Sequence, residues 1–191
     1  MIVSAFVSGT TLAYALYMMP RTAEKSLPGF DACQLPCWAG LVPGETAFND
    51  AATQLRAYLP SSHTWVGQNG SIVSFSTAIE DTFLSGVAYY SRGKVGRVST
   101  NALLSVGYLL DTLGEPDCVV LFRQIDLPSQ LVLYWQREQW FVRTMLVASK
   151  SGHLNASGLA QGFAIGLDNQ ICNEQSQSWL GFAPVWRYAA Q

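Results

Sequence analysis

Four cysteines, Cys33, Cys37, Cys118 and Cys172, are the residues of this chain whose number and spacing point to definite chemistry. Thiolates can hold zinc or oxidise to disulfides. Structural zinc sites favour paired knuckles with two intervening residues. Here the one close pair has three, and the other two cysteines stand far apart. An even set behind an apolar segment reads instead as two disulfides of an oxidising compartment. Three connectivities are open. The favoured one joins Cys33 to Cys37 in a tight loop stiffened by Pro36, and Cys118 to Cys172. The longer loop gains more from closure, about 4 kcal/mol in the chain-entropy model.

Other reactive types lack partners in sequence. His63 and His153 are the only histidines, and both fall in polar loops. A histidine-based hydrolase needs a nucleophile on a strained elbow and an orienting acid, and neither Ser151 nor Ser157 has a G-x-S-x-G frame. Glu80, Asp81 and Asp31 are the candidates for paired-carboxylate work, but adjacency at 80–81 marks an exposed turn. Asp126, Asp168 and Asn169 lack the alternating spacing of a calcium loop. Glycines 67, 70, 93, 96 and 114 read as turn residues, none of them a phosphate cradle. No catalytic residue, cofactor site or metal site is expected.

The six tryptophans have two readings. Trp135 and Trp140 flank a turn, while Trp179, Phe182, Trp186 and Tyr188 crowd the C-terminus, and aromatic packing explains such spacing. The functional reading is an exposed patch that anchors a protein or a glycan. Trp179, Phe182 and Trp186 are the partner-docking candidates, with Arg187 at the rim. Gly181 and Pro184 break any strand or helix there.

Composition bounds what positions these residues. The chain has 191 residues, 49% hydrophobic and 13% charged, with a net charge of −2. That charged share is low for a globular chain, and no basic stripe is present, so nucleic acid is not an expected partner. Ile2 to Met19 carry no charge, and about 18 helical residues span about 27 Å, near the thickness of a bilayer core. Residues 1–20 read as an uncleaved transmembrane anchor through which the chain meets the membrane. The alternatives are a signal peptide, which lacks its basic n-region here, and a buried core helix. The charges flanking the segment nearly tie under the positive-inside rule. The cysteines place the bulk of the chain outside the cytosol.

Residues 21–36 form a linker. Behind it, residues 37–191 read as an α+β domain of two tandem related units, about 37–98 and 99–191. Each is a helix followed by an antiparallel β-meander. In the first, Thr46 caps a helix whose Phe48, Ala51, Ala52, Leu55, Tyr58 and Leu59 share one face, closed by Pro60. Strands follow at 71–75, 83–90 and 94–98, the last pair joined by a hairpin turn at Ser91-Arg92-Gly93-Lys94. In the second, Ser99 or Thr100 caps a helix bearing Leu103, Val106, Leu109, Leu110 and Leu113. Gly114 follows it and Pro116 prevents continuation. Strands are expected at 118–122, 131–136, 140–148 and 163–167, with 179–188 packed on the sheet. Hairpin turns exclude parallel crossovers.

Pro36-Cys37-Trp38-Ala39-Gly40-Leu41 followed by Pro43-Gly44-Glu45-Thr46 resembles the opening of an uncharacterised group of bacterial membrane-anchored or secreted proteins. Leu113-Gly114-Glu115-Pro116-Asp117 resembles the helix-ending turn of that group. The same turn is similar to one in SmpA/OmlA-type envelope lipoproteins and in β-lactamase-inhibitor-protein-like domains. The resemblance implies a helix or helix pair on a small antiparallel sheet, sometimes duplicated, and brings no catalytic residue with it. The first unit has Tyr58-Leu59-Pro60 in place of that turn. The function expected is that of a non-enzymatic, membrane-anchored cell-envelope protein with a protein-binding or structural role, an envelope protein being the partner class. A secreted inhibitor-like or ligand-binding module is the alternative, and a cell-wall-acting hydrolase the remote one.

Overall fold

A computed structural model describes residues 29, 33–59, 64–79, 82–123, 128–149, 151–154, 159–167, 171–173 and 176–188. The apolar run at 2–19 and most of the linker lie outside these residues. Among the described residues, no helix is long and apolar enough to cross a membrane.

Helix α1 (Phe48–Tyr58) precedes strands β1 (Trp65–Asn69), β2 (Ile72–Ile79), β3 (Thr82–Ser91) and β4 (Lys94–Ser105). Helix α2 (Val106–Leu113) precedes β5 (Cys118–Phe122), β6 (Gln130–Gln136), β7 (Phe141–Val147) and β8 (Leu159–Gly166), and a single turn, α3 (Val185–Tyr188), follows. All eight strands join one antiparallel sheet in the order β1-β2-β3-β4-β8-β7-β6-β5. The fold is α+β with antiparallel pairing throughout.

Period-2 alternation gives the sheet one apolar face. Val66, Phe75, Gly86, Thr100, Phe163, Thr144, Leu133 and Val119 stand in one row across all eight strands. The helices supply Phe48, Ala51, Ala52 and Leu55, then Val106 and Leu109, to the same core. Burying leucine-sized side chains contributes about 1.5–3 kcal/mol each, so the core holds the helices that their short lengths alone would not. Gly86 is required in this row: a Cβ there would run into Phe75 Cζ and the Ser99 carbonyl.

Four local expectations are corrected. The second helix does not start at Thr100. β4 continues to Ser105 because its ladder with β8 resumes past a bulge, pairing Leu103 with Gln161 and Ser105 with Leu159. Ser105 is the N-cap, its Oγ accepting from Tyr108 N at 3.1 Å. Thr46 does not cap α1 either. Its Oγ1 accepts from Val42 N, and Phe48 N donates to Gly93 O of the β3–β4 hairpin, which satisfies that helix-end donor. Trp65–Asn69 is a strand the sequence pattern did not reveal. Gly67 and Gly96 lie inside strands rather than in turns.

The cysteines pair as Cys33–Cys37 and Cys118–Cys172, with Cα–Cα distances of 5.6 and 5.8 Å. The second bridge ties the segment after β8 to β5. Gln177 then exchanges hydrogen bonds with Val119 at 2.8 and 2.9 Å along the outer edge of β5. Beyond it Trp179, Phe182, Val185 and Tyr188 pack into the main core. The C-terminal segment therefore wraps around the β5 edge.

Candidate functional site

The residues singled out by motif resemblance hold the fold together. Trp38 is fully buried, its ring 5.2 Å from that of Phe75. The turn at Leu113-Gly114-Glu115-Pro116-Asp117 locks α2 to the β6–β7 hairpin. Trp135 Nε1 donates to Gly114 O at 2.8 Å, Asp117 Oδ2 accepts from Gln136 N and Arg137 Nη1, and Arg137 Nη2 donates to Leu113 O. These groups are spent on one another.

The three docking candidates at the C-terminus part company. Trp179 and Phe182 meet edge to face at 5.6 Å and pack on the core. Tyr188 beneath them is fully buried, its hydroxyl donating to Gly181 O and accepting from Leu180 N. Burial pushes the Tyr188 phenol above its ordinary value, and the Leu180 hydrogen bond offsets part of that. Trp186 alone of the three points outward, 62% exposed, with the Arg187 guanidinium 5.5 Å from its ring. The segment closes the core and leaves one exposed indole.

His153 sits in a turn whose backbone hydrogen-bonds Ser149 in both directions. His63, Asp31, Glu80, Asp81, Asp126, Ser157, Asp168 and Asn169 lie outside the described residues. Among the described residues no group of three or more histidine, cysteine, aspartate or glutamate side chains could hold a metal.

The surface that sequence reasoning missed is the sheet face opposite the helices. One row crosses it from edge to edge: Gly67, Ser74, Val87, Ser99, Ala164, Arg143, Tyr134 and Cys118. Small residues dominate its middle, and exposed aromatics rise around them. Trp65, Phe83 and Phe122 are 59%, 63% and 46% exposed, and register places all three on this face. The Trp65 indole lies against Gly67, where a Cβ would meet its ring carbons.

A trough of about 340 Å³ occupies the half of the face over β4, β8, β7, β6 and β5. Its lining includes Ser99, Gly162, Ala164, Arg143, Met145 and Phe122. Two register shifts meet at its floor, one in β4–β8 and one in β7–β8. Gly162 takes φ +72° there, and its carbonyl accepts from Thr144 Oγ1 at 2.7 Å. Bulges of this kind bend a sheet and re-aim side chains next to functional sites. Beside the trough, Ile171 and Cys172 cover Tyr134 and Phe141.

Charge on the strands has one sign. None of the eight strands contains an aspartate or glutamate. Arg97 and Arg143 stand on the open face, Arg97 stacked 4.3 Å over the Tyr89 ring. The Arg97 Nε and Ser99 Oγ atoms are buried without a hydrogen-bond partner among the described residues.

Each sheet edge carries a covering contact. Arg56 Nη2 donates to Val66 O on β1 at 2.9 Å, and Gln177 pairs with β5. Such contacts take up part of the backbone that a partner strand would extend. The signal that could have found the site was the lack of any carboxylate across the strand segments, with arginines at 97 and 143. Comparison with protein-family models, curated proteins and solved structures finds no match to this chain.

Proposed function

We propose that this chain is a non-enzymatic, membrane-anchored protein of the cell envelope whose domain binds a protein partner through the open face of its sheet. The observation that carries the reading is the composition of that face. Exposed aromatics, a methionine and two arginines surround a floor of small residues, and no strand contributes a carboxylate. Interface cores are enriched in aromatics, methionine and arginine and depleted in lysine, glutamate and aspartate. The contacts at Val66 and Val119 on the two edge strands favour docking on the face over strand addition.

Two disulfides fit an oxidising, extracytoplasmic compartment. The uncharged run from Ile2 to Met19 supplies the anchor in this reading. The domain is taken as two related units. Support for this lies in the repeated order of one helix then four strands. The sheet order also reads the same from either end when β1–β4 are exchanged with β5–β8. A two-fold axis between antiparallel β4 and β8 would relate such halves.

The test is co-purification from detergent-extracted membranes. Trp65→Ala with Phe122→Ala should reduce recovery of a stoichiometric partner at least tenfold, while Tyr90→Ala, an exposed ring on the helix side against Phe48, leaves it unchanged. Equal recovery from both variants refutes the reading. Intact mass of the same preparation decides between anchor and secreted form by retention of residues 1–20.

A further inference from the structure

We infer that the trough over β4, β8, β7 and β6 receives a carboxylate side chain from an acidic segment of the partner protein, with Arg143 as the residue that pairs with it. The inference rests on the docking reading of the open face and names the chemistry of its occupant. Arg143 stands in the row between Ala164 and Tyr134 and lines the trough. No described residue forms a hydrogen bond or ion pair with its guanidinium.

Arg97 stands on the same face outside the trough, its guanidinium over the Tyr89 ring, so Arg143 is the cation of the floor and Arg97 adds a second positive charge to the face. No strand carboxylate opposes them. The buried, unpartnered Ser99 hydroxyl lies beside the same floor and supplies a neutral donor to an incoming oxygen. Arginine presents a planar fork that matches a carboxylate bidentately. The trough's volume sits near the lower end of the range of about 300–1,000 Å³ typical of binding pockets, a size for one or two side chains.

Two other arginines of the described residues are committed elsewhere. Arg137 is committed to Asp117 and Leu113 O, and Arg56 to Val66 O. Electrostatic complementarity of this kind governs encounter rate and register.

The chain carries its own reporter. Of its four methionines, Met145 lines the trough and the other three are Met1, Met18 and Met19. The experiment uses the full chain in neutral detergent, labelled with carbon-13 at the methionine methyls. It is titrated with the blocked peptide acetyl-Ala-Phe-Glu-Ala-amide, its glutamine analogue, and inorganic phosphate.

The expected result is a saturable shift of the Met145 methyl with the glutamate peptide, at least tenfold tighter than with the glutamine peptide and weakened by salt. Arg143→Gln should erase the difference between the peptides, and Arg143→Lys should retain part of it. Equal shifts from both peptides overturn the carboxylate pairing while leaving docking on the face intact. A shift with phosphate but not with the glutamate peptide overturns it in favour of a small anion. A silent Met145 with every probe overturns the trough as the site, and the docking reading then stands or falls on the co-purification result. If Arg143→Gln loses the dispersed spectrum of the folded chain, the lysine variant and the salt dependence decide in its place.

Discussion

Replacing Cys118 and Cys172 together by alanine removes the bridge that ties the C-terminal segment to β5. The cost follows from loop length. The two sulfurs join positions 54 apart, against 4 for Cys33–Cys37. With loop-closure entropy growing as the logarithm of that number, the long bridge is worth about 4 kcal/mol and the short one about 2 kcal/mol. The long bridge also holds Ile171 and Cys172 against Tyr134 and Phe141, so its loss should cost at least its entropic share. Urea unfolding of the full chain, followed by tryptophan fluorescence, reads both. At a slope of about 2 kcal/mol/M, the Cys118/Cys172 double variant should unfold about 2 M earlier than the unaltered chain and the Cys33/Cys37 double variant about 1 M earlier. A 118/172 variant no less stable than the 33/37 variant would refute the idea that the C-terminal segment is held by this closure.

Other outcomes follow from single side chains. Leu55 on α1 and Leu109 on α2 are 0% and 1% exposed, and each change to alanine should cost about 2–5 kcal/mol by chemical unfolding. Gly86→Ala puts a Cβ into Phe75 and the Ser99 carbonyl; because a backbone atom cannot swing aside, a loss of about 1–3 kcal/mol or more is expected, and a neutral result would contradict the packing described. Tyr188 is an acid whose folded pKa is raised by burial. The stability it contributes is therefore fully present below its unfolded value of about 10 and is lost as pH rises through the folded value. Tyr188→Phe should flatten the fall in stability above pH 10, at a cost near neutral pH of about 1 kcal/mol for the lost hydroxyl bonds; an unchanged alkaline slope would refute the assignment.

What was legible in the sequence was whatever announces itself by period or punctuation. Helix α1 showed through the spacing of Phe48, Ala51, Ala52 and Leu55, and β5 to β7 through apolar runs, the last two broken by the turn read at 136–139, one residue ahead of the observed break at 137–140. The start of α2 was misplaced because Ser99, Thr100 and Ser105 are all competent caps. Only long-range pairing with β8 decides that Leu103 belongs to a strand. β1 escaped notice because Gly67 and the polar Gln68 and Asn69 resemble a turn. The reason for Gly67 is the Trp65 ring, two positions before it. The open face was invisible for a related reason. Its floor is built from serines and an alanine that read as ordinary polar alternation in each strand, and they form a surface only when register aligns eight strands. The aromatic tail was legible as core closure, since Trp179 and Phe182 pack on the core as their crowding suggested, while nothing in the spacing singled out Trp186 as the one left exposed.

The central claim, that the open face of the sheet is the working surface, is tested most directly by side-chain footprinting of the protein in intact envelopes and again after detergent extraction. Trp65, Phe83 and Phe122 should be labelled several-fold less in the envelope than after extraction, while Tyr58, Tyr90 and Trp186, exposed elsewhere on the domain, change little. Protection centred on Trp186, with the open-face aromatics equally labelled in both states, would contradict the account.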